Sequence, residues 1–201
     1  DLDPLLRANR EAVTKVTGSL VDADAFVQPP SKQRVLLFTG HMIDAPDRPN
    51  PRFPADQESI ARDAIKRSIE REMKEGPDGC IGIAGGACGG DLLFHEICDE
   101  LGISTELYLT LVPELFVGTS VQKGGPLWVE RFWEVYNERV SQRRVHVLSD
   151  DTAGDDLPAW LRPKPNYNIW QRSNLWMLHN ALVTGGSDAV TLIALWDGAM
   201  G

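Results

Sequence analysis

No apolar run in this sequence is long enough to cross a membrane. The longest, Ala189 to Trp196, spans about eight residues with Thr191 inside it, against roughly 20 for a spanning helix. The opening Asp-Leu-Asp-Pro lacks the basic-then-apolar build of a signal peptide. Positive charge is also scarce: Lys and Arg total 20 against 29 Asp and Glu, a net −9 that repels phosphate backbones and anionic lipid. Neither nucleic acid nor a membrane surface is therefore an expected partner. Three cysteines, Cys80, Cys88 and Cys98, cannot all pair within one chain, and none forms a C-x-x-C pair. A disulfide framework and a structural zinc site are both unsupported, and reduced thiols in a cytoplasmic protein are the default expectation. There is no internal repeat and no low-complexity segment. The 201 residues, 42% hydrophobic and 24% charged, suit one soluble α/β domain.

Along the chain, strand and helix alternate. Leu5, Leu6, Ala8, Val13 and Val16 form a loose helical stripe between Pro4 and Leu20, read as an N-terminal extension over 1–30, before a main domain over 31–201. Arg34–Thr39 is a short apolar run ending in Gly40, as in a buried strand. The stretch from His41 to Pro54 holds four prolines and reads as a long ordered loop. A helix is expected over Ala55–Lys74, a buried strand over Cys80–Ala84, and a glycine-rich turn over Gly85–Asp91 leading into a helix with Leu92, Leu93, Ile97 and Leu101. Further strands are expected over Glu106–Val112, Arg144–Leu148 and Ala189–Trp196, with helices over Leu127–Val140 and Asn166–Leu182. Val129, Phe132, Trp133 and Tyr136 share one face of the former and read as core rather than as a cofactor box. The pattern predicts a doubly wound, mainly parallel, Rossmann-like α/β sheet of about five or more strands with helices on both faces. Right-handed crossovers then bring every strand-to-helix loop to one edge.

Three of those loops collect the suggestive residues: Thr39-Gly40-His41, Gly85 to Asp91, and Asp197-Gly198. Four glycines in six positions (Gly85, Gly86, Gly89, Gly90) let backbone approach a ligand closely, and the helix start beyond them offers unpaired N–H groups to a phosphate or carboxylate. Asp91 reads as an N-cap or, alternatively, as a ligand contact. The spacing is neither G-x-G-x-x-G nor a P-loop. His41 could contact a sugar or phosphate, or bond within its own loop. Cys88 before a helix start, with His41 nearby, could form a nucleophilic pair, though no third orienting group stands out. His95 and Asp91, four apart, lack the second ligand pair a metal needs. No cofactor, metal or catalytic residue is assigned.

The runs Leu36-Leu-Phe-Thr-Gly-His41, Ala84-Gly-Gly-Ala-Cys-Gly-Gly-Asp91 followed by Leu-Leu-Phe-His-Glu96, and Arg172-Ser-Asn-Leu-Trp-Met177 before Leu192-Ile-Ala-Leu-Trp-Asp-Gly198 together resemble the SLOG superfamily. That group contains the DNA-processing Smf proteins, the lonely-guy cytokinin-activating phosphoribohydrolases and many bacterial sensor domains. The resemblance covers about Arg34 to Gly198. It implies a nucleotide or nucleotide-derived ligand at the strand carboxyl edge, with Gly40 and His41 lining the first loop. It implies that Gly85 to Asp91 face the phosphate and that Arg172 and Asn174 approach from the late helix. Sensor members serve as inputs to signalling or defence proteins. The catalytic members carry Pro-Gly-Gly-x-Gly-Thr-x-x-Glu after the last strand, where this sequence reads Asp197-Gly-Ala-Met-Gly201, so phosphoribohydrolase activity is not assigned. A nucleotide N-glycosidase using Asp91, Glu96 or Asp197 is the catalytic alternative. An interaction module, with six tryptophans and the N-terminal helix forming a homo-oligomer surface, is the third reading.

Overall fold

The computed structural model describes residues 33–73, 79–149, 157, 160–162 and 168–198. The expected N-terminal helix lies outside these residues, as does most of the stretch between the strand expected over Arg144–Leu148 and the helix expected over Asn166–Leu182. The elements in order are β1 (Arg34–Gly40), α1 (Glu58–Glu72), β2 (Cys80–Ala84), α2 (Gly90–Glu100), β3 (Ser104–Leu109), a short α3 (Pro113–Phe116), α4 (Pro126–Ser141), β4 (Val145–Val147), α5 (Ile169–Gly185) and β5 (Val190–Leu195). No helix among the described residues is long and apolar enough to cross a membrane.

The five strands form one parallel sheet in the order β4-β3-β2-β1-β5. Alternation along the strands builds two cores. Val35 and Leu37 of β1, Ile81 and Ile83 of β2 and Tyr108 of β3 face α5 through Met177 and Ala181. Leu36, Phe38, Cys80, Ala84, Leu107 and Leu109 face the opposite way and pack with Ile65, Leu93 and Phe132 of α1, α2 and α4. The chain walks outward from β1 to β4 with its helices on one face, then returns over the other through α5 to lay β5 beside β1. The doubly wound reading is thus what is found, and the strand order reverses between β1 and β5.

Element ends differ from the sequence reading for local reasons. β3 starts earlier, at Ser104, because Thr105 is drawn into a buried polar network, and it stops before Leu111 as the chain turns toward Pro113. α5 starts at Ile169 because Asn168 caps it: the Asn168 side chain accepts from the Gln171 N–H at 2.9 Å, and Gln171 Oε1 accepts from the Asn168 N–H at 3.2 Å. The proline-rich loop is ordered by Asp44. Its Oδ2 accepts the N–H groups of Arg52 (2.6 Å) and Phe53 (2.7 Å), and its Oδ1 accepts from Arg48 (2.6 Å). Burial pushes the Asp44 carboxyl up, but those hydrogen bonds outweigh it and leave the pKa lowered.

The buried network links α2, β3 and α4. Thr105 Oγ1 accepts from Arg139 Nε at 2.8 Å and donates to His95 Nδ1 at 2.7 Å, while His95 Nε2–H donates to the Gly85 carbonyl at 3.0 Å. Burial, with Arg139 adding to it, lowers the His95 pKa to about 3, so the ring is neutral and structural rather than a metal ligand. Thr105→Val keeps the shape and orphans two buried partners, which costs about 2–4 kcal/mol. Thermal unfolding should therefore fall by roughly 5–15 °C; an unchanged Tm would show that the network contributes nothing net.

Candidate functional site

Two cavities open at the carboxyl edge of the sheet, on either side of the chain leaving β1. The first has a volume of about 230 Å³. Thr39, Gly40 and Met42 contribute from β1 and its loop, and Gly85, Ala87 and Asp91 from the glycine turn and the start of α2. Tyr108 and Thr110 come from the end of β3. Phe116, Thr119, Ser120 and Lys123 come from the helical segment after β3, and Trp170, Ser173, Asn174 and Met177 from α5. The second, about 210 Å³, is lined by His41, Arg52, Gln57 and Asp197 on its polar side and by Phe53, Ile60, Ala61, Ala64, Leu195 and Trp196 elsewhere. Asp197 accepts from Arg52 Nε (2.7 Å) and Nη2 (2.8 Å) and lies 3.3 Å from His41 Nε2.

The residues singled out from sequence are therefore divided. Thr39, Gly40, Gly85, Asp91 and Asn174 line the first cavity, and His41 and Asp197 the second. Gly86, Cys88, Gly89, Gly90, Arg172 and Gly198 line neither. The glycine turn is built for close packing. A Cβ on Gly86 would meet Phe132, Leu107 and Leu109 at 3.0–3.2 Å, so that residue faces the core. Gly89 has φ +108° and its Cβ would lie 2.5 Å from the Ile43 nitrogen. Three amides of the turn are engaged inside the protein: Ala87 N–H to Asp91 Oδ2 (3.2 Å), Cys88 N–H to the Ser120 carbonyl (3.0 Å) and Gly90 N–H to the His41 carbonyl (3.0 Å). Cys88 is fully buried, and burial pushes its thiol up to about 11, the opposite of what a thiolate nucleophile needs. Among the described residues no group of three His, Cys, Asp or Glu side chains could hold a metal ion.

Asp91 is not the N-cap. Gly89 takes that position, and Asp91 sits in the first turn with its carboxyl reaching back to the Ala87 amide. The contact is possible because Gly85 has no side chain: a Cβ there would stand 2.6 Å from Asp91 Oδ2. Burial raises the Asp91 pKa to about 7, and the single Ala87 hydrogen bond only partly opposes this. Arg172, in the first turns of α5 beside Ser173 and Asn174, is 1% exposed. Its Nε and Nη2 have no hydrogen-bond partner among the described residues.

Sequence reasoning missed Thr119, Ser120 and Lys123. Thr119 and Ser120 lie on Val117–Val121 and Lys123 on Gln122–Gly124, irregular helical turns that continue α3, where no 3.6-residue period runs long enough to register. Comparison of the chain with known protein families, curated proteins and solved structures finds no match.

Because its pKa is raised in the fold, Asp91 binds a proton more tightly folded than unfolded. The fold is favoured below the unfolded carboxyl range and loses that advantage as pH rises toward about 7. Asp91→Asn should thus raise Tm at pH 8, by about 2–4 °C for each kcal/mol recovered, with the gain vanishing toward about pH 4. A variant equally destabilised at every pH would contradict this placement.

Proposed function

We propose that the protein is a recognition domain for a small anionic ligand of the nucleotide-derived class, bound in the first cavity. The observation that carries this reading is Arg172. It lines neither cavity itself but is buried in the turn of α5 whose Ser173 and Asn174 line the first. Its Nε and Nη2 have no hydrogen-bond partner among the described residues. A buried guanidinium in that state destabilises the empty fold unless an anion meets it. Lys123 adds a second cation at the cavity wall, and Thr39, Thr110, Thr119, Ser120, Ser173 and Asn174 supply hydroxyl and amide groups. In this reading the phosphate lies toward Lys123 and Arg172, rather than in the glycine turn, three of whose amides are engaged. The sugar hydroxyls meet Asp91 and Thr39, and the base packs against Tyr108, Phe116 or Trp170. The resemblance to the SLOG superfamily supports the ligand class and the role of a regulatory input in a signalling or defence protein. A volume of about 230 Å³ is below the range of about 300–1,000 Å³ for drug-sized ligands, which favours one mononucleotide over a dinucleotide. Three buried free cysteines suit the cytoplasmic setting such an input would occupy.

One observation favours a second, catalytic reading. Of the three candidate carboxylates, Glu96 is held by Arg62 and Arg131 and Asp197 by Arg52. Asp91 alone lies in the first cavity with a pKa near neutrality, the range an acid–base group needs. Release of free base from a nucleoside monophosphate, abolished by Asp91→Asn, would establish an N-glycosidase.

A thermal-shift series with nucleoside monophosphates tests the binding reading. A ligand at a hundred times its Kd adds about 2.7 kcal/mol, an upward shift of about 5–10 °C for a domain of this size. Arg172→Met should lose that shift while the ligand-free Tm stays level or rises. A full shift retained by Arg172→Met would overturn the reading.

A further inference from the structure

The Asp91 carboxyl shares the first cavity with Lys123, and Arg172 is buried in the α5 segment that closes it. An anion drawn into the cavity by Lys123 must approach an acidic group that has a single hydrogen-bond donor, the Ala87 N–H, and no cation bonded to it among the described residues. Asp91 Oδ2 fills the space a Cβ on Gly85 would take, which sets the carboxyl against the stretch of cavity wall that Gly85 lines. Two negative groups in one small, partly dehydrated cavity repel unless one of them is neutralised.

We propose that the site takes its anionic ligand together with one proton, held on the Asp91 carboxyl in the complex, so that Asp91 sets the pH range over which the ligand is bound. This rests on the reading of the first cavity as an anion site. The titratable and charged groups around Asp91 among the described residues are Cys88 from the glycine turn, Tyr108 from β3, Lys123 from the segment after β3, and His95 one turn along α2. Burial pushes Cys88 up to about 11 and Tyr108 up to about 12, and holds His95 down at about 3. None of those three changes charge near neutrality. Asp91, raised to about 7, does. An approaching anion raises it further, and the proton comes from solvent. Above neutrality each bound anion then draws in a proton, and affinity falls with rising pH by up to about tenfold per pH unit.

Sulfate is the suitable probe, because it is a tetrahedral dianion whose own charge does not change between about pH 6 and pH 8.5. Isothermal titration of the intact chain with sulfate, in buffers of different ionisation enthalpy, counts the protons taken up. Uptake approaching one proton per sulfate at pH 8, with Kd weakening by up to about tenfold per pH unit above neutrality, is expected. In Asp91→Asn both effects should vanish, with sulfate affinity at pH 8 at least equal to that of the parent at pH 6. Sulfate binding with no proton uptake, or uptake retained in Asp91→Asn, overturns the proposal and leaves the anion site standing. Failure of both proteins to bind sulfate at any pH overturns the anion site and the proton linkage together.

Discussion

The carboxyl edge of this fold depends on one close approach, between the loop leaving β1 and the turn leaving β2. Met42 and Gly89 form an isolated antiparallel bridge, the Ile43 N–H donates to the Cys88 carbonyl at 2.9 Å, and the Gly90 N–H donates to the His41 carbonyl at 3.0 Å. That contact demands a residue without a side chain and with a positive φ, and Gly89 meets both conditions. The third segment is tied to the same point. Cys88 donates its N–H to the Ser120 carbonyl, and a Cβ on Gly124 would stand within 3.0 Å of Trp128, Ile43 and Cys88. Three strand-end segments are thus clamped at one place, and the first cavity is the space left beside the clamp. Much of the glycine content that suggests an anion cradle serves this packing instead.

Two groups near the cavity act against the stability of the empty fold. Arg172 is a buried cation lacking a hydrogen-bond partner at Nε and Nη2 among the described residues, and Asp91 is a carboxyl whose surroundings favour its neutral form. Each is costly in isolation, and cores normally exclude such groups or pair them. Other buried and half-buried arginines among the described residues reach a carboxylate. Arg139, equally buried, bonds Thr105 and Asp99, and Arg131 reaches Glu58 and Glu96, although one nitrogen each of Arg139 and Arg144, Nη1, also lacks a hydrogen bond. The contrast between those ion-paired arginines and Arg172, which bonds no carboxylate among the described residues, is the physical basis for reading its surroundings as a binding site.

Much of the architecture was legible in the sequence. Continuous apolar runs such as Cys80–Ala84, bounded by glycine and separated by helical stripes, carry the parallel sheet directly, and β2 is indeed buried at all five positions. The placement of Thr39, Gly40, Gly85 and Asp91 at the carboxyl ends of the neighbouring strands β1 and β2 and the start of α2 followed from that topology. Other features were not readable because they depend on which way a side chain turns. His41 stands between Gly40 and Met42, yet it turns to the second cavity and they turn to the first. Glycine spacing cannot distinguish Gly85, which makes room for Asp91, from Gly86, which makes room for Phe132. Lys123 sits on turns too short and irregular to leave a period, and the state of Arg172 is a property of three-dimensional enclosure.

The central claim is that an external anion completes the surroundings of Arg172. A crystal structure of the chain with a nucleoside monophosphate addresses it most directly. The account predicts phosphate density within hydrogen-bond distance of the Arg172 guanidinium, with Lys123 alongside and the sugar toward Asp91. An Arg172 guanidinium paired with a carboxylate of the protein itself, with the first cavity empty, would contradict it.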